Sequence, residues 1–332
     1  MSERALRFLS ARDVAQALPM REAVEAMKEA FRQLSAGEAV APARTHIEAR
    51  EPRGDALFMP SYLPAAGAMG IKVVTIYGGN PPRGLPLIQA IMLVLDATTG
   101  GPLAVMDGTS LTAIRTGAAS GAATDLLARP DAAAAAIFGA GPQARTQLEA
   151  VCTVRPVRSV WVYDQDAGRA QAFCREMSGK GSVPERVQVA ADPRQAIVEA
   201  DIICTATTSS SPVFHDGDLR RGTHINAVGA FTPLMCEVPP STVKRSLIVV
   251  DSREAALAEA GDLIQPIQEG LITADDIHAE LGEIVTGEKA GRTDNAQITL
   301  FKSVGIAIQD AAAAARALAG ARAMGLGRTI DV

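Results

Sequence analysis

The stretch Ala135-Ala136-Ile137-Phe138-Gly139-Ala140-Gly141-Pro142-Gln143-Ala144 decides how the chain is read. Small and apolar residues make a short buried strand. The G-x-G-x-x-A that follows opens a helix, which is the dinucleotide-binding fingerprint in its expected setting. Gly139 permits the tight turn, Gly141 lets the backbone approach a pyrophosphate, and Ala144 keeps the helix close to the sheet. The helix N-terminus adds free N–H groups and the positive end of its dipole. The next predicted strand, 159–163, ends in Asp164. An acid there suits the ribose hydroxyls of NAD and repels a 2′-phosphate, although such a residue can also simply cap the turn. Gln165 and Asp166 supply no cation for a 2′-phosphate, and Arg169 lies a turn further on. The reading is NAD(H) in preference to NADP(H).

Outward from this point, strands at 187–190, 202–206, 224–228 and 247–250 alternate with helices at 142–151, 167–177 and 193–199. That alternation predicts an α/β fold with a Rossmann-type, doubly wound parallel sheet. Before Pro130 the texture differs. A short strand at 6–9 precedes a helix capped by Ser10 or Asp13, with Val24, Met27 and Phe31 at helical spacing. Runs at 45–49, 56–59, 69–77, 87–96 and 102–107 then predict a mostly antiparallel sheet, with 96–101 as a hairpin connection. A helix over 109–129 follows, carrying small residues on one face. The segment 301–323 reads as one long alanine-rich helix that returns to the first domain. The expected division is a second, α+β substrate domain at 1–116, the nucleotide domain at 117–304 and the returning helix at 305–332.

Composition narrows the partners. A net charge of −5 without a Lys/Arg cluster, and aromatics at only 4%, argue against nucleic acid. The apolar run near 85–95 is far short of a membrane span, and the charged start MSERALRFLSARDV has no apolar core of a signal peptide. Cys152, Cys174, Cys204 and Cys236 are too dispersed for a disulfide framework or a zinc site, which suits a reducing cytoplasm. His46, His215, His224 and His278 show no metal-ligand spacing; His46 could lie near Arg44, and the others read as structural.

Lys72 lies inside the otherwise apolar Ile71-Lys72-Val73-Val74-Thr75-Ile76. A buried lysine is a candidate acid or base, whereas one on a sheet edge is only a solvated charge. Arg44 starts a strand after a Pro-containing loop, and Arg115 lies in the helix entering the nucleotide domain; each could hold a carboxylate or phosphate through its bidentate fork, or be plain surface.

The ordered set Arg44-Thr45, Gly70-Ile71-Lys72-Val73-Val74, Ala104-Val105-Met106-Asp107-Gly108, Leu111-Thr112-Ala113-Ile114-Arg115-Thr116, Gly139-Ala140-Gly141, Ile225-Asn226-Ala227-Val228-Gly229-Ala230, Val250-Asp251-Ser252 and Phe301-Lys302-Ser303-Val304-Gly305 resembles the ornithine cyclodeaminase/mu-crystallin family over nearly the whole chain. The resemblance implies a homodimer built through the non-nucleotide domain. It assigns Arg44 and Arg115 to the substrate carboxylate and nearby cofactor, and Lys72 to proton transfer at the reacting nitrogen. Leu87, Ala140, Gln143, Asp164, Thr207 and Val228 would line the dinucleotide with Gly139 and Gly141, and Val304 would face the substrate. Leu87 is a departure, since relatives often have Ser or Thr there.

Cyclodeaminases of the family carry an aspartate soon after Asn-Ala-Val-Gly; here that place holds Phe231, which can neither take a proton nor neutralise an ammonium. Glu237 is the carboxylate that would have to replace it. The resemblance therefore implies an NAD(P)H-dependent reductase of small cyclic imino acids, with Δ1-pyrroline-2-carboxylate or Δ1-piperideine-2-carboxylate as substrate and Phe231 and Val304 as an apolar wall. The competing readings are an alanine dehydrogenase, an ornithine cyclodeaminase and a non-catalytic, crystallin-like NAD(P)-binding protein.

Overall fold

The computed structural model describes residues 5–331. The chain divides into two compact units: one runs to Arg115 and resumes at Ile306, and the other is Thr116–Gly305. In the first, β1 (Ala5–Leu9) leads into α1 (Ala11–Ala17), whose start is fixed by a reciprocal capping box between Ser10 and Asp13. Pro19 then breaks the chain, so the predicted single helix is two, and α2 (Met20–Ser35) buries Val24, Met27 and Phe31. The strands β2 (Thr45–Arg50), β3 (Arg53–Leu63), β4 (Ala68–Ile76), β5 (Ile88–Asp96) and β6 (Pro102–Asp107) form an antiparallel meander. The hairpin after β5 closes because the Asp96 carboxylate accepts the Thr98 and Thr99 N–H groups. The division between the units falls within α3 (Gly108–Leu127).

The second unit is the βα alternation expected from the fingerprint outward. Its elements are β7 (Ala134–Phe138), α4 (Pro142–Val154), β8 (Ser159–Tyr163), α5 (Ala167–Met177), β9 (Val187–Val189), α6 (Pro193–Ile197), β10 (Ile202–Thr205) and β11 (His224–Ala227). They continue with α7 (Pro240–Lys244), β12 (Ser246–Val250), α8 (Arg253–Glu259), α9 (Gly261–Gln268), β13 (Ile277–Glu280), α10 (Leu281–Thr286) and β14 (Ile298–Lys302). All eight strands are parallel, in the order β13-β12-β14-β11-β10-β7-β8-β9. Core lies on both faces of the sheet: Ile137, Val160, Leu148 and Phe173 belong to one cluster, and Phe138, Ile203, Ile225 and Val250 to the other.

The C-terminal segment corrects the sequence reading. Phe301 and Lys302 belong not to a helix but to β14, which lies between β11 and β12 in the middle of the sheet. The turn at Gly305 (φ +84°) follows, and α11 begins only at Ala307, running to Met324 before β15 (Arg328–Asp331). A strand buried on both faces is a continuous apolar run, and beside an alanine-rich helix its period is lost.

In the first unit, β15 and β6 flank β1 to complete the order β15-β1-β6-β5-β4-β3-β2. Helix α11 packs on α1, α2 and the β3–β5 face of that sheet. Its buried Ala311, Ala313, Ala314 and Ala317 let it lie close. The other face of the sheet presents an apolar surface, with Met69 and Ile91 exposed and Ile71, Val73 and Leu93 half-buried.

Candidate active site

Lys72 sits in the centre of β4, opposite Met59 of β3 and Met92 of β5, on the face that α11 covers. It is 3% exposed, which removes the sheet-edge reading. Its Nζ lies 2.8 Å from Asp310 Oδ2. The other oxygen of that carboxylate accepts from Arg115 Nε at 2.9 Å, and Arg115 Nη1 donates to Gln309 Oε1 at 2.6 Å. Arg115 is itself buried. Two cations thus share one carboxylate, leaving a positive charge in excess. Burial pulls the Lys72 ammonium down to about 8; Asp310 opposes this, while Arg115 and Arg44 add to it.

Gln309 Oε1 also accepts the Ile306 N–H. With two donors on the amide oxygen its orientation is fixed, and Nε2 is left buried without a partner. Arg44, half-buried just before β2, is close enough to act on Lys72. His46 instead pairs with Asp55 at 2.6 Å on the exposed β2–β3 ribbon. Leu87 precedes β5, is exposed, and lines a shallow cleft with Arg53, Gly54, Ile76 and Gly78.

In the second unit the fingerprint forms the turn from β7 into α4. Gly139 has φ +90°, and a Cβ there would come within 2.7 Å of the Ala206 carbonyl. Nothing lies within 4 Å of the corresponding position on Gly141, the N-cap of α4, where no side chain caps the helix. These are the features a dinucleotide pyrophosphate requires: an open backbone approach and free helix N–H groups. The turn lies where strand order reverses, since β8 and β9 extend the sheet to one side of β7 and β10 onward to the other.

Asp164 accepts the Ala140 N–H at 2.8 Å and the Asp166 N–H at 2.9 Å, so it holds the glycine turn from behind. Arg169, mostly exposed, lies 3.9 Å from both Asp164 and Asp166, which places a cation nearer than the sequence suggested. Gln143 is half-buried on the first turn of α4, and Val228 is buried just beyond β11, its N–H on the Thr205 carbonyl. Phe231 is 38% exposed, while Val304 is half-buried, with its N–H on Asp251 Oδ2.

Glu237 is fully buried. One oxygen accepts from Thr205 Oγ1 (2.9 Å), Gly229 N–H (2.7 Å) and Ala230 N–H (3.0 Å), and the other from Thr207 N–H (2.6 Å). Burial pushes its carboxyl up, Asp262 pushes the same way, and Lys302 opposes. With both oxygens engaged it cannot replace the aspartate that Phe231 displaces.

Sequence reasoning missed Asp310, Gln309 and Arg145. Arg145 donates to the Ala140 and Gly141 carbonyls and pairs with Glu176, bracing the fingerprint turn. The available signal for the first two was a pair of polar residues at the head of an alanine-rich helix. Among the described residues no group of three or more His, Cys, Asp or Glu side chains could hold a metal, and no helix is long and apolar enough to cross a membrane.

The chain matches the model of the ornithine cyclodeaminase/mu-crystallin family over residues 5–320. It is 43% identical over 303 residues to a Δ1-pyrroline-2-carboxylate reductase of Bacillus cereus, covering 91% of this chain and 92% of that protein. Among solved structures it resembles Thermococcus litoralis Δ1-pyrroline-2-carboxylate reductase in complex with NADH and L-proline, with a TM-score of 0.93, 46% identity, and coverage of 98% of this chain and 100% of the other. An archaeal alanine dehydrogenase dimer with bound NAD aligns with a TM-score of 0.90 and 35% identity, covering 98% and 99%. Sequence and fold agree: this chain belongs to the ornithine cyclodeaminase/mu-crystallin family.

Proposed function

We propose that the chain is an NAD(H)-dependent reductase of a cyclic imino acid, converting Δ1-pyrroline-2-carboxylate or Δ1-piperideine-2-carboxylate to L-proline or L-pipecolate. The observation that carries this reading is the buried cluster in which Lys72 and Arg115 share the single Asp310 carboxylate. Its excess positive charge and the unpaired Gln309 Nε2 call for an anionic, hydrogen-bonding substrate group, and a carboxylate is the simplest. Arg44 and Arg115 hold that carboxylate. Lys72, poised near neutral pH, holds a proton at the imine nitrogen and gives it up as the C=N bond is reduced. The nicotinamide, when bound, supplies the hydride to the adjacent carbon. Asp310 keeps Lys72 and Arg115 at fixed separation. Phe231, at the place where cyclodeaminases carry an aspartate, supplies no carboxylate for an ornithine amine.

The dinucleotide is assigned to Gly139, Ala140, Gly141, Gln143, Asp164, Thr207 and Val228. The Asp164 carboxylate opposes a 2′-phosphate, so NADH is the preferred donor, and Asp164→Ser should narrow the preference for it in kcat/KM. The apolar sheet face bearing Met69, Ile91 and Leu93 is where a second copy packs, giving a homodimer, and the four buried, free cysteines suit a cytoplasmic setting.

The test is NADH oxidation followed at fixed enzyme with each cyclic imine, with pyruvate plus ammonia, and with L-ornithine and NAD for ammonia release. Turnover confined to the imines is expected. Preference for pyruvate plus ammonia would make the chain an alanine dehydrogenase, and ammonia from ornithine a cyclodeaminase.

A further inference from the structure

We infer that Glu237 is the positioning residue for the nicotinamide half of the dinucleotide. Its carboxylate ties together the two loops that leave the carboxyl ends of β10 and β11, through Thr205 Oγ1 and the Thr207, Gly229 and Ala230 N–H groups. These loops pack backbone on backbone: a Cβ on Gly229 would lie 2.3 Å from the Thr207 carbonyl oxygen and 2.4 Å from Glu237 Oε1. The Thr207 loop in turn abuts the fingerprint, since a Cβ on Gly139 would come within 3.3 Å of Thr207 Cγ2. A dinucleotide lies across carboxyl strand ends at the switch point, with its adenosine toward the acid after the second strand. Asp164 directly follows β8, so the adenosine half lies on the β8 side and the nicotinamide half on the β10–β11 side.

Three backbone donors converging on one buried acceptor would otherwise face each other unpaired, and each unpaired buried N–H is costly. A carboxylate is the one side-chain group that can accept from all four donors at once. Glu237 is anchored from behind, because its own N–H and that of Val238 donate to Asp262 Oδ1 at 2.6 and 3.0 Å. Asp262 Oδ2 is 2.9 Å from Lys302 Nζ, with both side chains fully buried. The loops therefore rest on a fixed post as well as on each other.

This inference rests on the nicotinamide reading, and the test separates the two. Glu237→Gln keeps the shape but turns an NH2 toward N–H donors. Binding of NADH, followed by its fluorescence, should weaken about tenfold or more, which corresponds to the loss of about one charged hydrogen bond. AMP, which occupies only the adenosine half, should bind within about twofold of wild type, by the same arithmetic. The emission of the NADH that still binds should shift toward that of free NADH. Unchanged NADH affinity and emission would overturn the assignment, and so would parallel loss of NADH and AMP, which marks a general scaffold. Should Glu237→Gln not fold, Thr205→Val removes one donor and leaves the carboxylate. It should weaken NADH about two- to fivefold with AMP unaffected, and no change would overturn the assignment. Wild-type protein that binds AMP but not NADH would instead refute the nicotinamide reading itself.

Discussion

Among the described residues two lysines are buried in strands, and their surroundings differ in one respect that separates binding from scaffolding. Lys302, at the end of β14, meets Asp262, whose other oxygen accepts two backbone N–H groups; every charge in that group ends on a donor or a counter-charge. Lys72, in β4, meets Asp310, whose other oxygen is already claimed by Arg115. The first group is closed. The second has one cation too many, a lysine drawn down to about 8 and an amide N–H with no acceptor. Buried charge that is not compensated is expensive, so it persists where a ligand completes it. The comparison teaches that burial of a lysine is not itself a catalytic sign; an incomplete set of partners is.

The largest expected effect tests that contrast on one pair of variants. Lys72→Met should lower kcat for imine reduction by about 10²–10⁴, the range for a lost general acid. Its urea midpoint should stay close to wild type, because Asp310 keeps Arg115 as its partner. Lys302→Met should do the reverse to stability, costing about 3–5 kcal/mol by stranding the buried Asp262 carboxylate. Equal stability losses in the two variants would break the comparison, since both groups would then be scaffolds.

A second variant sharpens the site side alone. Arg44→Ala should raise KM for the imino acid about tenfold to a hundredfold, the worth of a charged hydrogen bond, with a smaller change in kcat if the contact is equally strong in ground and transition states. Steady-state kinetics in both arguments of the rate law decides it: a pure kcat effect would move Arg44 from carboxylate binding to the chemical step.

How much of this was legible in the sequence follows from distance along the chain. The glycine turn, its strand and its helix lie within a few dozen residues, and their bounds agree with the sequence reading to within three residues. Lys72 was visible because it interrupts an apolar strand. Asp310 was not, because the pairing crosses from β4 to a helix near the C-terminus, and only folding brings them together. Lys302 shows the converse: it also follows apolar residues, but the alanines beyond Gly305 extended the helical pattern backward over β14 and hid a central strand. Glu237 was seen as a spare carboxylate. The reason it is not spare lies in four donors, the Thr205 hydroxyl and three backbone N–H groups, and the backbone groups carry no sequence signal.

The smallest effect, about tenfold per pH unit, is also the one with a sign that can go wrong. In the reductive direction Lys72 must carry the proton it delivers to nitrogen. Its value of about 8 lies below the 10.5 of a free lysine, because burial disfavours the ammonium. The protonated fraction is therefore full at neutral pH and falls as pH rises through about 8. Reductive kcat/KM should follow it downward between pH 7 and 9. In the oxidative direction, from L-proline and NAD, the same lysine must begin neutral to receive the proton, so kcat/KM should climb across the same window. Profiles in both directions should thus slope oppositely about one midpoint, and Lys72→Met should flatten both. Slopes of the same sign would show that another group handles the proton and would leave Lys72, like Lys302, a buried charge held for structure.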